Sequence, residues 1–379
     1  WVLMTGVWLS GAGTLGTLLA FLVGGTAIIF ISLTYAELVS AMPKAGGEHV
    51  YTERALGRKL SFVCTWAVVM AYISVPVFEA AALPTALEYL VPNMKAIYLW
   101  SFMGSPVYLS LAIVGVAVSI FMAVVNFYGV KMVAKIQTFI TLGFLIVGLM
   151  FFFGAFTTMP LDNIDPLFVG GIGGSLGVLM MVPTLLVGFD VIPQSAEEIN
   201  LPPAQIGKLL VFSVIVAVLW YGLISFCVAL SMSPTELASS TMATADANIN
   251  VFSGAWAGQL MVVAGIAGML TSWNAFVLGG SRVIYALAKA GLLPRIFAKL
   301  HPKHKTPYAA IMLIAILCCI APFFGRTILI WIIDAGSFSV LIAYGLVAFA
   351  FLKLRKDEPD MPRPFRVKHG VWVGRIAVF

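Results

Sequence analysis

Charge is what this chain has least of. Asp, Glu, Lys and Arg make up 10% of its 379 residues, 61% are hydrophobic, and the mean hydropathy is +1.03. A soluble domain of this length has no use for so much apolar surface. Histidine is scarce too. His49, His301, His304 and His369 fall in polar loops and form no HExxH-type metal pair. The four cysteines, Cys64, Cys227, Cys318 and Cys319, lie in apolar runs without metal-ligand spacing, so packing is their expected role. No Gly-rich loop precedes a Lys-Ser or Lys-Thr pair, which sets aside a Walker-type ATP site and a primary pump. No motif calls for a metal, a cofactor or an enzymatic reaction. A cleavable signal pattern is also missing. The chain opens on Trp1, and its first residues read like the inside of a membrane segment, so the expectation is a fragment lacking the start of its first helix and its last helices.

What is present is a series of long apolar runs. A helix of roughly 20 residues crosses a hydrocarbon core about 30 Å thick. A membrane barrel would show short alternating segments instead. The expected fold class is therefore an all-α polytopic membrane protein. Residues 1–12 read as the tail of a first helix. Full crossings are expected at about 15–41, 60–90, 106–128, 134–156, 170–193, 207–232, 255–282, 308–325 and 328–353. Residues 371–379 read as the start of an eleventh helix.

Placing the loop 42–59 in the cytoplasm puts every Lys and Arg except Lys95 and Arg326 on the inner side. The positive-inside rule supports both the count and the direction. The net charge of +6 then faces the lipid bilayer's inner leaflet and needs no nucleic-acid partner. The outer loops carry mainly acid, at Asp162, Asp165, Glu236 and Asp246. The expected location is the plasma membrane. Nothing in the lipid-facing pattern fixes an oligomeric state.

Ionisable groups inside a bilayer are costly and face a cavity or a partner. Glu79 lies in the third crossing, three residues after Pro76. It reads either as a protonated acid bonded to a neighbouring helix or as a proton carrier or cation-binding carboxylate facing a cavity. Asp190 lies in LLVGFDVIPQSAEEI (185–199), in a crossing that also holds GGIGGSLG (170–177), Pro183 and Pro193. Glycine costs a helix about 1 kcal/mol relative to alanine and interior proline about 3 kcal/mol. So many breakers predict an interrupted helix at a binding site, a plain proline kink being the alternative. Glu197 and Glu198 follow at the inner end. Asp334 suits a helix cap or a gate contact, Glu37 a pairing with a cytoplasmic Lys or Arg, and Asn274 a helix–helix hydrogen bond.

Four stretches together resemble one family. They are YAELVSAMPKAGGEHVYTERALG (35–57), GFDVIPQSAEEINLPPAQI (188–206), SRVIYALAKAGLLPRIFAKLHPKHKTPYAA (281–310) and LRKDEPDMPRPFRV (354–367). In this order and spacing they are similar to segments of the amino acid–polyamine–organocation superfamily of secondary transporters, across nearly the whole chain. The resemblance implies a LeuT-like fold of two five-helix inverted repeats, with helices one and six broken at mid-membrane. Repeat one would span about 1–156 and repeat two about 170–353. It also implies a substrate site at Trp1, Val2, Thr184, Val187, Gly188, Phe189 and Asp190, with Phe189 as an aromatic gate and Asn274 and Phe276 from the eighth helix. The glycine-rich break of helix one is expected just ahead of Trp1. Some proton-coupled members carry a lysine in helix five. The matching stretch IQTFITLGFLIVG (136–148) has none; if coupling is to protons another group must carry them, and Glu79, the acid nearest mid-membrane, is the proton-coupling candidate. The expected partners are an amino acid or amine substrate and a coupling proton or counter-substrate. A polyamine permease of the same fold, a channel and a non-transporting membrane sensor stand as alternatives.

Overall fold

Hydrocarbon offers no water to backbone N–H and C=O groups, and a helix pairs them within one segment. The long apolar runs accordingly fold as helices. The computed structural model describes residues 1–44, 46–129, 133–160, 164–194, 196 and 199–378. Lys131, Asp162, Glu197 and Glu198 lie outside the described residues.

The elements run in chain order as α1 (Thr5–Ala41), α2 (Glu48–Leu56), α3 (Arg58–Leu90), the strands β1 (Tyr98–Phe102) and β2 (Ser105–Tyr108), α4 (Leu109–Tyr128), α5 (Val133–Thr158), α6 (Gly171–Leu185), α7 (Val191–Gln194), α8 (Pro203–Ser231), α9 (Pro234–Ser239), α10 (Ala243–Phe252), α11 (Ala255–Lys289), α12 (Tyr308–Ile320), α13 (Ile328–Asp357) and α14 (Gly370–Val378). Among the described residues, seven helices are long and apolar enough to cross a bilayer. Two shorter apolar helices, α6 and α12, join them. α12 runs on into a 3-10 turn at Ala321–Phe324. The molecule is an all-α polytopic membrane protein, and its helices fall on the expected crossings.

α1 is not one straight rod. Gly13 has φ 76° and ψ 176°, outside helical geometry. In a continuous helix Trp8 and Phe21 would stand about 20 Å apart. Their ring centroids are 5.1 Å apart, and the Thr17 hydroxyl donates to the Trp8 carbonyl at 3.0 Å. The chain therefore reverses at Gly13, which separates the expected tail 1–12 from the crossing that follows. Glycine is required there. A Cβ would come within 2.7 Å of the Pro166 carbonyl oxygen, and the positive φ strains any other residue.

α3 runs through the middle, packed against α11 and α13, while α1 packs against α6 and α8. Gly24 lets α1 approach Val182 of α6 closely, since a Cβ there would meet a valine methyl at 2.8 Å. Small residues at helix contacts are the usual device in lipid, where burial alone gives no drive to associate. Three connections hold elements that were not legible in the hydropathy. The inner connection 42–59 holds α2. The outer connection between α3 and α4 holds the antiparallel β1–β2 hairpin, with Trp100 donating to the Phe323 carbonyl at 3.1 Å. The outer connection after α8 holds α9 and α10. α9 is capped by Ser233 and Glu236 in a reciprocal box.

The inner end of α1 is clamped. Glu37 accepts from Arg355 Nε at 2.9 Å and pairs with Arg363 Nε at 3.0 Å, and it is 1% exposed. Its expected basic partner is thus two arginines. Asp334 lies beyond the first turn of α13, exposed and not at the cap. Cys64, Cys227 and Cys318 are buried, Cys319 is half-buried, and all four are free.

Candidate functional site

The sixth crossing breaks as the glycines and prolines predict, but further along than GGIGGSLG. α6 begins at Gly171 and runs to Leu185, residues 186–190 form a turn, and α7 resumes at Val191. Gly174 explains why the early glycines do not break it. A Cβ there would sit 2.3 Å from the Gly11 carbonyl oxygen, so that end of α6 uses its glycines to dock against α1. The break needs Gly188, whose φ is 127°. Asp190 holds it in shape, its Oδ1 accepting from the Gly188 N–H at 2.8 Å.

A cavity of about 430 Å³ opens beside this break, within the size range of small-molecule sites. The turn before α1 gives it Trp1, Val2, Leu3 and Met4. α3 gives Ser74, Phe78 and Glu79. The end of α6 and the turn give Thr184, Val187 and Gly188, and α11 gives Thr271, Ser272 and Phe276. Trp1 packs edge-on against Trp220 at 5.8 Å. The Thr184 hydroxyl pairs with Ser337 at 2.7 Å and donates to the Ile333 carbonyl at 3.0 Å, so it fixes α6 to α13. Glu79 is the one acidic or basic side chain in the wall among the described residues. It accepts a hydrogen bond from the Ser272 hydroxyl, is 4% exposed, and its Oε2 has no protein partner.

Six of the nine residues expected at the substrate site therefore share one cavity, and Glu79 joins them. Phe189, Asp190 and Asn274 stand outside the wall. The turn sends Phe189 toward α1 and α13, where its ring lies 5.4 Å from those of Tyr35 and Tyr344. Asp190 is fully buried in the same layer, beneath the cavity. Asn274 precedes Phe276 by two residues, about 200° around the helix, and so faces away from it. It is 3% exposed with an unpartnered Oδ1. The residues that sequence reasoning missed are Ser272, which carries no signal until α3 and α11 pack together, and the tyrosines beneath the cavity.

A helical membrane bundle with a mid-chain helix break and a part-open cavity beside it fits a solute transporter of the permease type. The chain belongs to the amino acid permease family, whose pattern it matches over residues 2–379. It is similar to the branched-chain amino acid permease BcaP of Bacillus subtilis (strain 168), with 25% identity covering 96% of this chain and 80% of that protein. It is also similar to the methylthioribose transporter of the same organism, at 25% identity over 94% of this chain and 77% of that protein. To the vacuolar cationic amino acid transporter 8 of Arabidopsis thaliana it is 27% identical over 93% of this chain and 59% of that protein. The family is one of permeases, not enzymes.

Proposed function

We propose that the protein is a secondary active transporter that carries an amino acid or a related amine by alternating access around the 430 Å³ cavity. The observation that carries this reading is the placement of Glu79. It is the one carboxylate in the wall among the described residues, with one oxygen unpartnered. A second feature supports it. The cavity lies between the start of α1 and the C-terminal end of α6, where helix dipoles leave partial positive and partial negative charge respectively. That pair of charges complements the carboxylate and ammonium of an amino acid. The relatives' names give a branched-chain, a cationic and a thiosugar substrate, so the side-chain preference does not pass to this chain.

In this reading Glu79 takes the coupling proton from the outer side and releases it inward. Trp1, Val2, Thr184, Val187, Gly188 and Phe276 contact the substrate, and Phe189, Asp190 and Asn274 support them from behind. The two repeats, about 1–156 and 170–353, each place their opening segment at the cavity, which favours the inverted-repeat arrangement of 5+5 helices. The plasma membrane is the proposed location. Uptake into proteoliposomes tests the function. Accumulation of an amino acid driven by an inward proton gradient is expected, and Glu79→Gln abolishes that accumulation while substrate exchange persists. Absence of uptake or exchange across a panel of amino acids and polyamines refutes the transporter reading. Unchanged gradient-driven uptake in Glu79→Gln refutes the proton role alone.

A further inference from the structure

Beneath the cavity lies a second polar cluster that the transport reading does not use. Its centre is Glu48, the first residue of α2. Glu48 is fully buried, and its Oε2 accepts from the Gln194 amide on α7. Its Oε1 has no partner. Asp190, equally buried, is the other carboxylate that acts on it, and Asp190 Oδ2 is also unpartnered. The hydroxyl of Tyr35 on α1 approaches Glu48, and those of Tyr72 on α3 and Tyr344 on α13 approach Asp190, all three short of hydrogen-bond geometry. Two buried carboxylates, one opening α2 and one at the helix break, thus share a layer with three tyrosine hydroxyls.

Among the described residues, the side chains seen to act on this pair are hydroxyls, a thiol and the Gln194 amide. α1 contributes Tyr35, α3 contributes Tyr72 and Cys64, α13 contributes Tyr344, and α2 itself contributes Tyr51. His49 turns away, its Nδ1 2.8 Å from the Ser61 hydroxyl and its Nε2 3.6 Å from Glu53, and burial holds it below the usual histidine range. Two uncompensated negative charges in a dry layer are prohibitive. A carboxyl and a carboxylate that share one proton are not, as in other close acid pairs.

The position gives the pair a mechanical role. α2 lies on the cytoplasmic side and packs against α3 and α13. The residue before it, Gly47, touches α7 so closely that a Cβ would stand 3.1 Å from Pro193 and 3.0 Å from the Gln194 amide nitrogen. Solvent reaches neither carboxyl, and α2 seals against α7 at this layer. We propose that Glu48 and Asp190 form a proton-operated latch on the cytoplasmic gate, closed by one shared proton and opened when that proton leaves to the cytoplasm. The O–H bond of the shared acid breaks, the proton passes to inner water, and both carboxylates are then hydrated and repel each other across the parted faces.

The sign of the pH dependence follows. Burial first, and the Asp190 charge second, push the Glu48 carboxyl well above the usual carboxylate range in the closed form. In the open form it is hydrated and ordinary. The closed form therefore binds more protons, is favoured at low pH, and yields to the open form as cytoplasmic pH rises.

The inference rests on the transporter reading for its purpose but is tested without transport. Cys64 is fully buried in α3 within reach of Glu48 and Thr52, so it reports on the parting of α2. Inside-out vesicles are treated with a membrane-impermeant maleimide between pH 6 and pH 8. The Cys64 peptide is quantified by mass spectrometry, each rate being divided by that of the denatured protein at the same pH. The normalised rate is expected to rise about fivefold across this range. In Glu48→Gln, which keeps the shape and cannot charge, it stays low and flat. Asp190→Asn gives the same flat profile and serves if Glu48→Gln fails to accumulate. A wild-type profile that is flat, or a mutant profile that keeps the wild-type rise, overturns the latch. Loss of substrate uptake with the labelling pattern intact refutes the transporter reading and leaves the latch standing.

Discussion

At the scale of single residues, Gly188 and Asp190 show two ways a break in a helix is held. Gly188 supplies the conformation, at φ 127°, and Asp190 supplies a hydrogen bond to its amide. A Cβ at position 188 would also stand 3.3 Å from the ring of Phe276 in the cavity wall. Gly188→Ala is therefore expected to strain the turn by about 1–3 kcal/mol and to narrow the cavity. Uptake should fall about tenfold or more at unchanged protein abundance, read by transport assays normalised to purified protein. Equal uptake would show that the turn is not part of the working site. The same pair shows what the sequence could and could not say. An acid beside a glycine in an apolar run signals a helix break, and the break is there. Its depth is a different matter. The amide freed by the break competes for the acid and turns it away from the cavity, and that depends on backbone geometry. Glu79 has no such competing amide; it lines the cavity and is also bonded to Ser272 of α11, so the structure fits both of its sequence readings.

At the scale of elements, the inner ends of the helices are joined by charge rather than by apolar packing. Glu37 on α1 engages Arg355 on α13 and Arg363 in the segment after it, and also accepts from the Val367 N–H at 2.8 Å. Removing one partner of a buried ionic cluster leaves the others uncompensated, at a cost of about 3–5 kcal/mol. Glu37→Gln is expected to lower the thermal midpoint in detergent clearly, while Arg54→Gln, at the exposed pair with Glu358, changes stability by no more than about 1 kcal/mol and moves the midpoint little. Thermal unfolding of both variants checks the contrast. Pairing of Glu37 with a basic residue was legible because no other charge lies near it in sequence. α2 was not legible. Its buried face consists of Glu48, His49, Tyr51, Thr52 and Ala55, so it lacks the apolar periodicity by which a helix is read. Such a face makes sense only against Gln194 and the tyrosines, which come from four distant segments.

At the scale of the whole molecule, the balance of charge across the bilayer orients everything else. The two outer cations are exceptions that the fold accommodates. Lys95 pairs with Glu88 at 2.8 Å, and Arg326 donates to the Thr241 carbonyl at 2.8 Å, both on the outer face near the β1–β2 hairpin. In the orientation proposed from the charges, the other described Lys and Arg lie on the inner side, and the helix order carries the cavity break from Gly170 on the outer side to Gln194 on the inner side. This orientation decides which way the latch faces. If α2 were outside, loss of its proton would open the site to the wrong compartment. Single cysteines at two exposed positions settle it. Ser239→Cys, at the end of α9, is expected to react with an impermeant maleimide in right-side-out vesicles. Lys303→Cys, between α11 and α12, is expected to react only after permeabilisation. The reverse pattern would invert the bundle and place Glu48 under an outer gate. Labelling of both from outside would break the alternation itself by removing α11 as a crossing, since α11 is the long apolar helix between the two positions.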